Sequence, residues 1–596
     1  MVFGRLFRPH RKNVGDGNSK QSFLYRSTRS AAALSRKHLL PESFPRLFPN
    51  TSRLQVLILA ILTVYLTIFT FIGIVYKRWE TPNKGTTRMS IRTGLGGFSN
   101  RVGVLAFALT PLTVALCSRD SMLSLLTGIP YQHFNFLHRW TGRIILIQSS
   151  IHTIAWTIVE ARLYQPQPDK YLNFMKETYA IWGVVAQGFI TFLFVFSFRP
   201  VIRWTGYEFF KKSHLIVAGL HFGACWGHWH LLACWMIASL GILGIELGMR
   251  TLRVCLIHMG YKDGSKGFGF RSINSKVEVF KDPSGTIVRM TYTHNHEPWK
   301  IGQHFYLTFP ALSIWQSHPF TPASVPPTSM VPPSHVYIIR ARDGETGKLG
   351  ATETSTSEKN DSFETPVIMV GPYGRSTIDR EATNILAIAG GTGISFTLPT
   401  VLSALADPTS ITQNIEMIWI IRHIDNLAWI GPELTTARSY LSDSSSDPKS
   451  PTPSITHPKR FRIRIYVTRA PETRTHVHPR PGTAADQQPP KQDLEISSVS
   501  SNEFNPTHTH EIRDLIAVHP AFSIEYLDHA RPSVDAMLTA FMDDTVDAGS
   551  TQVLGSGPAA LGTDIRAGVA RWNDAGRVWR GDERGDVRCV WDDRMG

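Results

Sequence analysis

His138-Arg-Trp-Thr-Gly-Arg-Ile-Ile-Leu-Ile-Gln-Ser-Ser-Ile-His152 and His214-Leu-Ile-Val-Ala-Gly-Leu-His-Phe-Gly-Ala-Cys-Trp-Gly-His228 decide how this chain is read. Each stretch opens and closes on histidine with the same fourteen-residue spacing. Fourteen residues close nearly four helical turns, so both imidazoles of a stretch face the same way. At about 1.5 Å rise per residue they stand roughly 21 Å apart. Two such helices side by side offer two stacked imidazole–imidazole sites, one near each face of a bilayer. Neutral imidazoles suit an iron porphyrin, and ligation by two histidines leaves no open position at the metal for oxygen. The expectation is two b-type haems forming a path for electrons through lipid. With both helices running the same way, His138 pairs with His214 at the inner face and His152 with His228 at the outer. His133, His221 and His230 compete for these roles; His221 lies seven residues from both His214 and His228.

The surroundings of these stretches are those of a membrane domain. Mean hydropathy over the 596 residues is −0.09, but residues 54–250 are rich in apolar runs and the flanks are polar. Leu54–Tyr76 is 23 residues without a charge, enough to cross about 30 Å of hydrocarbon. Val102–Ser118, Ile144–Val159 and Ala180–Phe198 follow, and the block Leu215–Leu247 reads as two spans joined by a tight turn near Trp226–His230. Six spans are expected. Gly142, Gly219, Gly223 and Gly227 leave room for a flat macrocycle, or equally for close helix packing. Arg139, Arg143, Lys211 and Lys212 would meet haem propionates at the inner face, or anchor the membrane boundary.

Charge sets the orientation. Residues 1–53 hold eleven Lys/Arg against two acids, and basic residues recur at Arg199, Arg203, Lys211 and Lys212, then at Arg250, Arg253 and Lys262. All three groups lie inside if six spans begin inside. The Arg/Ser-rich start also fits a mitochondrial transit peptide, although no clear amphipathic helix is evident there, and no signal-peptide apolar core lies near residue 1. Residues 77–101 run against the orientation, with Lys77, Arg78, Lys84, Arg88, Arg92 and Arg101 on the expected outer side. Five cysteines without a CxxC pair suggest neither a disulfide framework nor a zinc site.

Beyond about residue 265 the pattern changes to short strands, Gly/Pro turns and helices. Residues 300–310, Lys-Ile-Gly-Gln-His-Phe-Tyr-Leu-Thr-Phe-Pro, predict a turn at Gly302 feeding an alternating strand. His318-Pro319-Phe320-Thr321 follows; Phe320 and Thr321 on a strand can flank an isoalloxazine ring and bond its edge. This sequence after a Gly-Gln-His strand resembles the flavin-binding signature of the ferric reductase transmembrane family, whose relatives include the NADPH oxidases. Arg340 to Leu349, with Gly344 and Thr346, resembles the next family element, where a strand end opens a helix whose free N–H groups take the FAD pyrophosphate. Gly371-Pro372-Tyr373-Gly374 resembles the turn closing the flavin domain. The buried-strand run Ile385–Ala389 leads into Gly390-Gly391-Thr392-Gly393 and a helical stretch, so that backbone can approach a pyrophosphate or nicotinamide. Arg422, ending the strand Met417–Ile421, resembles the position where a cation meets the 2′-phosphate of NADPH; a surface salt bridge is the plainer alternative. Gly555-Ser556-Gly557-Pro558 resembles the family's nicotinamide element, with Ser556 where a cysteine is usual. Pro322 stands where Ile or Leu is usual, and Trp591 is the aromatic nearest the end, so no aromatic flavin cap is assumed.

The resemblance implies a six-span membrane α-helical bundle carrying two b haems, fused to a ferredoxin-reductase-like module: an antiparallel β-barrel FAD domain and an α/β NADP-binding domain. The expected divisions are a basic cytoplasmic segment 1–53, a haem domain 54–255, a FAD domain 265–378 and a nicotinamide domain 380–596. Within the last, the Ser/Pro/Thr/His-rich 441–512 is expected as a disordered insertion, and its His476, His478, His508 and His510 as solvated loop rather than a metal site. The implied activity is NADPH-dependent reduction of ferric chelates or siderophores, with Cu(II) as a further acceptor, across what is expected to be the plasma membrane. An iron-permease system is a conceivable partner; nucleic acid is not. No side chain is required as general acid or base. Two rival readings remain: an oxidase passing electrons to dioxygen, against which no DxDxDG calcium loop is seen, and a haem-binding membrane protein without turnover.

Overall fold

The computed structural model describes residues 23–592 apart from 84–86, 260–268, 283, 296–297, 328–331, 343, 352–361, 443–458, 470–518 and 528–529. Helix α1 (Phe23–Leu39) precedes α2 (Arg53–Phe71). Ser52 starts α2 by accepting from the Gln55 N–H while the Gln55 side chain returns to the Ser52 N–H, a reciprocal cap. A hairpin of β1 (Arg78–Pro82) and β2 (Met89–Thr93) leads into α3 (Gly94–Cys117). Next come α4 (Asn135–Ile158), which runs on into a π-helical turn Val159–Leu163, then α5 (Asp169–Lys176), α6 (Thr178–Val195), α7 (Tyr207–His228) and α8 (Ala233–His258).

The six expected spans are α2, α3, α4, α6, α7 and α8. Among the described residues, five helical segments are long and apolar enough to cross a membrane. Helix α7 falls short in apolarity because it carries His214, His221 and His228 with Glu208, Lys211 and Lys212. At 22 residues and about 1.5 Å per residue it nevertheless matches the hydrocarbon thickness. The tight turn between α7 and α8 is the three-residue 3₁₀ helix His230–Leu232. Inside the bundle, Leu66, Ala106, Leu109, Ile145, Ile190 and Leu193 form one packed cluster, and Val114, Ala186, Phe222, Ala224, Cys225 and Met236 another. Ile61, Ile68, Ile147, Ile216 and Ile237 instead face outward, more than half exposed. That inversion suits a lipid solvent and would be costly in water. The protein is an integral membrane protein.

Two sheets follow. Strands β3 (Ile273–Asp282), β4 (Gly285–Thr293), β5 (His304–Thr308), β6 (His318–Phe320), β7 (Ser334–Arg340) and β8 (Ser362–Tyr373) form an antiparallel sheet of order β6-β5-β8-β3-β4-β7. Its β6 and β7 edges do not pair with each other, so the expected barrel is a half-barrel. Helix α9 (Glu345–Ala351) packs beside β4. Strand β6 ends at Phe320, two residues before Pro322, which cannot donate to a ladder.

The second sheet is wholly parallel: β9 (Asn384–Gly390), β10 (Asn414–Ile421), β11 (Arg460–Val467), β12 (Phe522–Tyr526), β13 (Thr551–Ser556) and β14 (Val587–Trp591), in the order β12-β11-β10-β9-β13-β14. Strands β9 and β10 are almost continuously buried, as parallel strands covered on both faces require. Helices α10 (Ile394–Ala406), α11 (Gly431–Ser442), α12 (Val534–Asp544), α13 (Ala559–Trp572) and α14 (Ala575–Trp579) accompany them.

Two expectations need correction. The stretch 441–512 is not one insertion, because β11 lies within it and pairs along its whole length with β10. His476, His478, His508 and His510, expected as solvated loop, lie outside the described residues. The basic N-terminal segment, in which no clear amphipathic helix is evident from the sequence, contains the helix α1, which docks on the parallel-sheet domain. Arg36 Nη1 lies 2.5 Å from Asp586 Oδ1, Arg29 pairs with Asp586 and Glu583, and Phe23 packs edge-on against Trp579 at 5.4 Å. Arg588 joins the same buried carboxylate at 3.2 Å and reaches Asp379 at 2.5 Å. Burial alone would raise the Asp586 pKa, but Arg36, Arg588 and Arg29 overcome it and hold the carboxyl well below the usual range.

Candidate functional site

Helices α4 and α7 bring the four histidines together in the pairs expected from their spacing. The ring centres of His138 and His214 are 6.3 Å apart, and those of His152 and His228 are 6.0 Å apart. A metal bridging two imidazoles needs two bonds of about 2 Å, plus about 1 Å from each ring centre to its nitrogen, or about 6 Å in all. Both pairs therefore stand at the separation a metal ion would impose.

The rings are also oriented from behind. His138 Nδ1 lies 2.9 Å from the Thr113 carbonyl, His152 Nδ1 2.8 Å from that of Ser99, and His228 Nδ1 2.7 Å from that of Tyr179. A carbonyl only accepts, so Nδ1 carries the proton in these three rings. Nε2 is left as a lone-pair donor, the tautomer a metal requires. His214 Nδ1 is buried without a hydrogen-bond partner. His221, the competitor on the same helix, sends Nδ1–H to the Ala186 carbonyl at 3.1 Å and has Cys225 Sγ 3.5 Å from Nε2. No second imidazole is paired with it among the described residues.

Glycines make this bedding possible, but not those expected. A Cβ on Gly103 of α3 would stand 2.7 Å from His152 Nδ1, and one on Gly183 of α6 would stand 2.7 Å from His228 Nδ1. Sequence reading missed both, since nothing in a chain's own order says which residue of a neighbouring helix faces a histidine. Gly142, Gly219 and Gly223 meet nothing within 4 Å, which leaves space for a flat group, whereas Gly227 lies against Trp182.

The half-barrel docks at the His138/His214 end. Tyr131, in the 3₁₀ turn leading into α4, places its hydroxyl 2.5 Å from that of Tyr306 on β5. Asp120 accepts from Tyr373 at 3.1 Å and from Arg253 at 2.6 Å, and Arg119 lies over the Tyr306 ring at 3.8 Å. Burial, then the Asp120 charge, raises the Tyr373 pKa, so it remains a neutral donor.

Within the half-barrel, His318, Pro319 and Phe320 form β6, and the buried Thr321 follows it directly. Across from β6, His318 Nε2 lies 3.4 Å from Glu345 Oε2, yet His318 Nε2 and both Glu345 oxygens are buried without a hydrogen-bond partner. Such orphaned polar atoms call for a polar ligand. Gly344, with φ +96°, and the buried Thr346 stand at the start of α9, as the motif predicts.

In the parallel sheet, strand order reverses between β9 and β13, and ligands bind such sheets in the crevice at that point. Gly390, Gly391, Thr392 and Gly393 leave β9, and Gly555, Ser556, Gly557 and Pro558 leave β13, so both motifs converge there. Gly391 has φ +56°, and a Cβ on Gly393 would stand 2.4 Å from the Ser556 carbonyl oxygen. The buried Ser556 hydroxyl donates to Asp592 at 3.2 Å. Arg422 follows β10 and is exposed beside Arg340, whose pKa is lowered by burial and then by Arg422. Two neighbouring cations, only partly offset by the Asp282 carboxylate, suit a phosphate. Trp591 packs over Gly555 and Gly562 and lines a cleft with Gln132, His304, Arg375, Phe396 and Asp592, where the bundle and both sheets meet.

Comparison with known proteins agrees with this division. Residues 102–225 match the ferric reductase like transmembrane component model, 270–377 an FAD-binding domain, and 382–570 the ferric reductase NAD binding domain. Ferric reductase transmembrane component 5 of Saccharomyces cerevisiae is 29% identical over 356 residues, covering 58% of this chain and 47% of that protein. Ferric/cupric reductase transmembrane component 2 of the same yeast is 27% identical, covering 67% and 53%. A probable cell surface ferric reductase, kap2, of Aspergillus oryzae is 25% identical, covering 59% and 47%. The chain spans about half the length of the curated relatives it matches.

Proposed function

The chain belongs to the ferric reductase transmembrane family, and from that membership we propose that it is an NADPH-dependent ferric-chelate reductase of the plasma membrane. Its acceptors are ferric chelates or siderophores, with Cu(II) as a further acceptor, on the side opposite the dinucleotide-binding module. The module is cytosolic, where reduced nicotinamide nucleotides are. The observation that carries this reading is the double imidazole pairing, at metal-bridging distance at both ends of α4 and α7.

When bound, FAD would split a hydride from NADPH into single electrons, and two b haems would relay these between the ends of the bundle. His138 with His214, and His152 with His228, would hold the haem irons through Nε2. The carbonyls of Thr113, Ser99 and Tyr179 hold three of those rings in the ligating tautomer. Phe320 and Thr321 would border the flavin, and His318 with Glu345 would meet its polar edge. Gly344 and Thr346 would open α9 toward the pyrophosphate. Gly390–Gly393 and Gly555–Pro558 would receive the nicotinamide nucleotide, and Arg422 with Arg340 its 2′-phosphate. Tyr131, Tyr306, Tyr373 and Asp120 fix the module against the near end of the bundle. None of these groups has to move a proton within the membrane.

Intact cells expressing the protein should reduce membrane-impermeant ferric chelates when starved of iron, with little superoxide from the same membranes. Superoxide output exceeding iron reduction would overturn the reading in favour of an oxidase. Membranes in which NADPH reduces no haem would overturn it altogether.

A further inference from the structure

We propose that the end of the bundle remote from the dinucleotide-binding module is a docking site for anionic ferric chelates, built from the β1–β2 hairpin, the π-helical turn after α4, and α5. The inference rests on the reading of ferric chelates as acceptors and assigns a site and a charge preference to them. The hairpin is pinned to that turn. Arg92 of β2 lies over the Tyr164 ring at 4.2 Å, and the Ser90 hydroxyl accepts from the Gln165 N–H at 3.1 Å. The turn continues α4, which carries His152, and α5 packs against both the turn and α6. Helix α6 in turn supplies the Tyr179 carbonyl that orients His228. The surface is therefore one with the backbone that seats the far imidazole pair.

Its free charge is positive. Arg88, Arg92, Arg162 and Lys176 are exposed and form no ion pair among the described residues. The carboxylates are partly engaged: Glu160 is buried with Lys170 3.8 Å away, and Glu80 lies 4.0 Å from Arg78. Asp169 and Glu177 remain as exposed acids on α5 and at its end. A basic far loop opposes the preference for positive residues on the cytosolic side, so topology does not account for it. Charge complementarity does. Ferric iron held by carboxylate or catecholate oxygens is commonly in an anionic complex, because those ligands bring more negative charge than the three positive charges of the ion, whereas three hydroxamates only balance it. A basic rim raises their local concentration beside the far centre and speeds their encounter. The step served is a one-electron transfer: Fe(III) in the chelate becomes Fe(II), the electron comes from the transmembrane path, and no bond within the chelate need change.

The test uses the full protein in nanodiscs of neutral phosphatidylcholine, comparing wild type with Arg88→Glu/Arg162→Glu/Lys176→Glu. Arg92 is left in place because it holds Tyr164. Binding of redox-inert Ga(III)–citrate should weaken roughly ten-fold or more in the variant. After reduction by dithionite, oxidation by anionic ferricyanide should slow while oxidation by cationic hexaammineruthenium(III) accelerates. Unchanged Ga(III)–citrate binding, or both oxidants shifting in the same direction, overturns the proposal. So does an effect confined to discs containing anionic lipid, which would assign the cations to headgroups. Should the variant not fold, the wild type still decides: Ga(III)–citrate binding indifferent to ionic strength refutes the site. Because gallium binding needs neither NADPH nor electron flow, its outcome is separable from failure of the reductase reading.

Discussion

Gly183→Ala should remove one haem and leave the other. A Cβ at this position stands 2.7 Å from His228 Nδ1 and 2.8 Å from Cε1, where relaxed contacts are about 3.5 Å or longer. The imidazole must recede by roughly 1 Å, or the helices must part. Receding breaks the 2.7 Å bond to the Tyr179 carbonyl, worth about 0.5–1.5 kcal/mol. The overpacking itself costs about 1–3 kcal/mol. At 1.4 kcal/mol per ten-fold, a combined loss of about 1.5–4.5 kcal/mol weakens haem retention at the His152/His228 pair roughly 10- to 1,600-fold. The near pair, His138/His214, is not touched. The assay is haem per protein by pyridine haemochrome, with a redox titration to count centres; the expectation is a fall from two to one. Gly244→Ala, whose Cβ meets nothing within 4 Å, should keep both. A Gly183→Ala protein that keeps two haems at unaltered potentials would refute the reasoning.

Other perturbations test the rest of the molecule. Asp586→Asn strips the charge that three arginines share and should cost about 3–5 kcal/mol, read as a lower thermal midpoint and faster proteolysis within α1. The Asp586 carboxyl is held below its ordinary range, so its contribution is fully present above the unfolded carboxylate pKa of about 3.9 and is lost as pH falls below that. The wild type should lose stability more steeply than the variant in that acid window. Gly393→Ala drives a Cβ to within 2.4 Å of the Ser556 carbonyl; a displacement near 1 Å there should slow flavin reduction by NADPH about 10²-fold with FAD content unchanged. Tyr131→Phe removes the 2.5 Å contact with Tyr306, worth about 1 kcal/mol. Stopped-flow traces should show normal flavin reduction by NADPH followed by slower haem reduction.

The histidine pairs were legible because helix periodicity alone aligns residues fourteen apart, and an apolar run between them marks the solvent. The glycine motifs after β9 and β13 were legible for a similar reason: strand, glycines and helix are adjacent in the chain. What escaped notice depends on partners distant in sequence. Gly103 and Gly183 matter only because α3 and α6 pass behind His152 and His228. Helix α1 is held by Asp586, 550 residues beyond Arg36, so nothing in its own stretch of sequence showed where it would dock. Strand β11, Arg-Phe-Arg-Ile-Arg-Ile-Tyr-Val, does alternate; the low-complexity sequence on both sides hid it. His221 fits the heptad of His214 and His228, but its Nδ1–H turns to the Ala186 carbonyl, a choice fixed by where α6 lies.

The most direct measurement of transmembrane transfer uses proteoliposomes with the module facing outward, ferric citrate trapped within and NADPH added outside. Trapped iron should be reduced by the wild type and not by His152→Ala/His228→Ala, while in that variant the near haem still turns ferrous. Reduction confined to iron on the NADPH side, or trapped iron reduced equally well by the variant, would contradict a path through the two imidazole pairs.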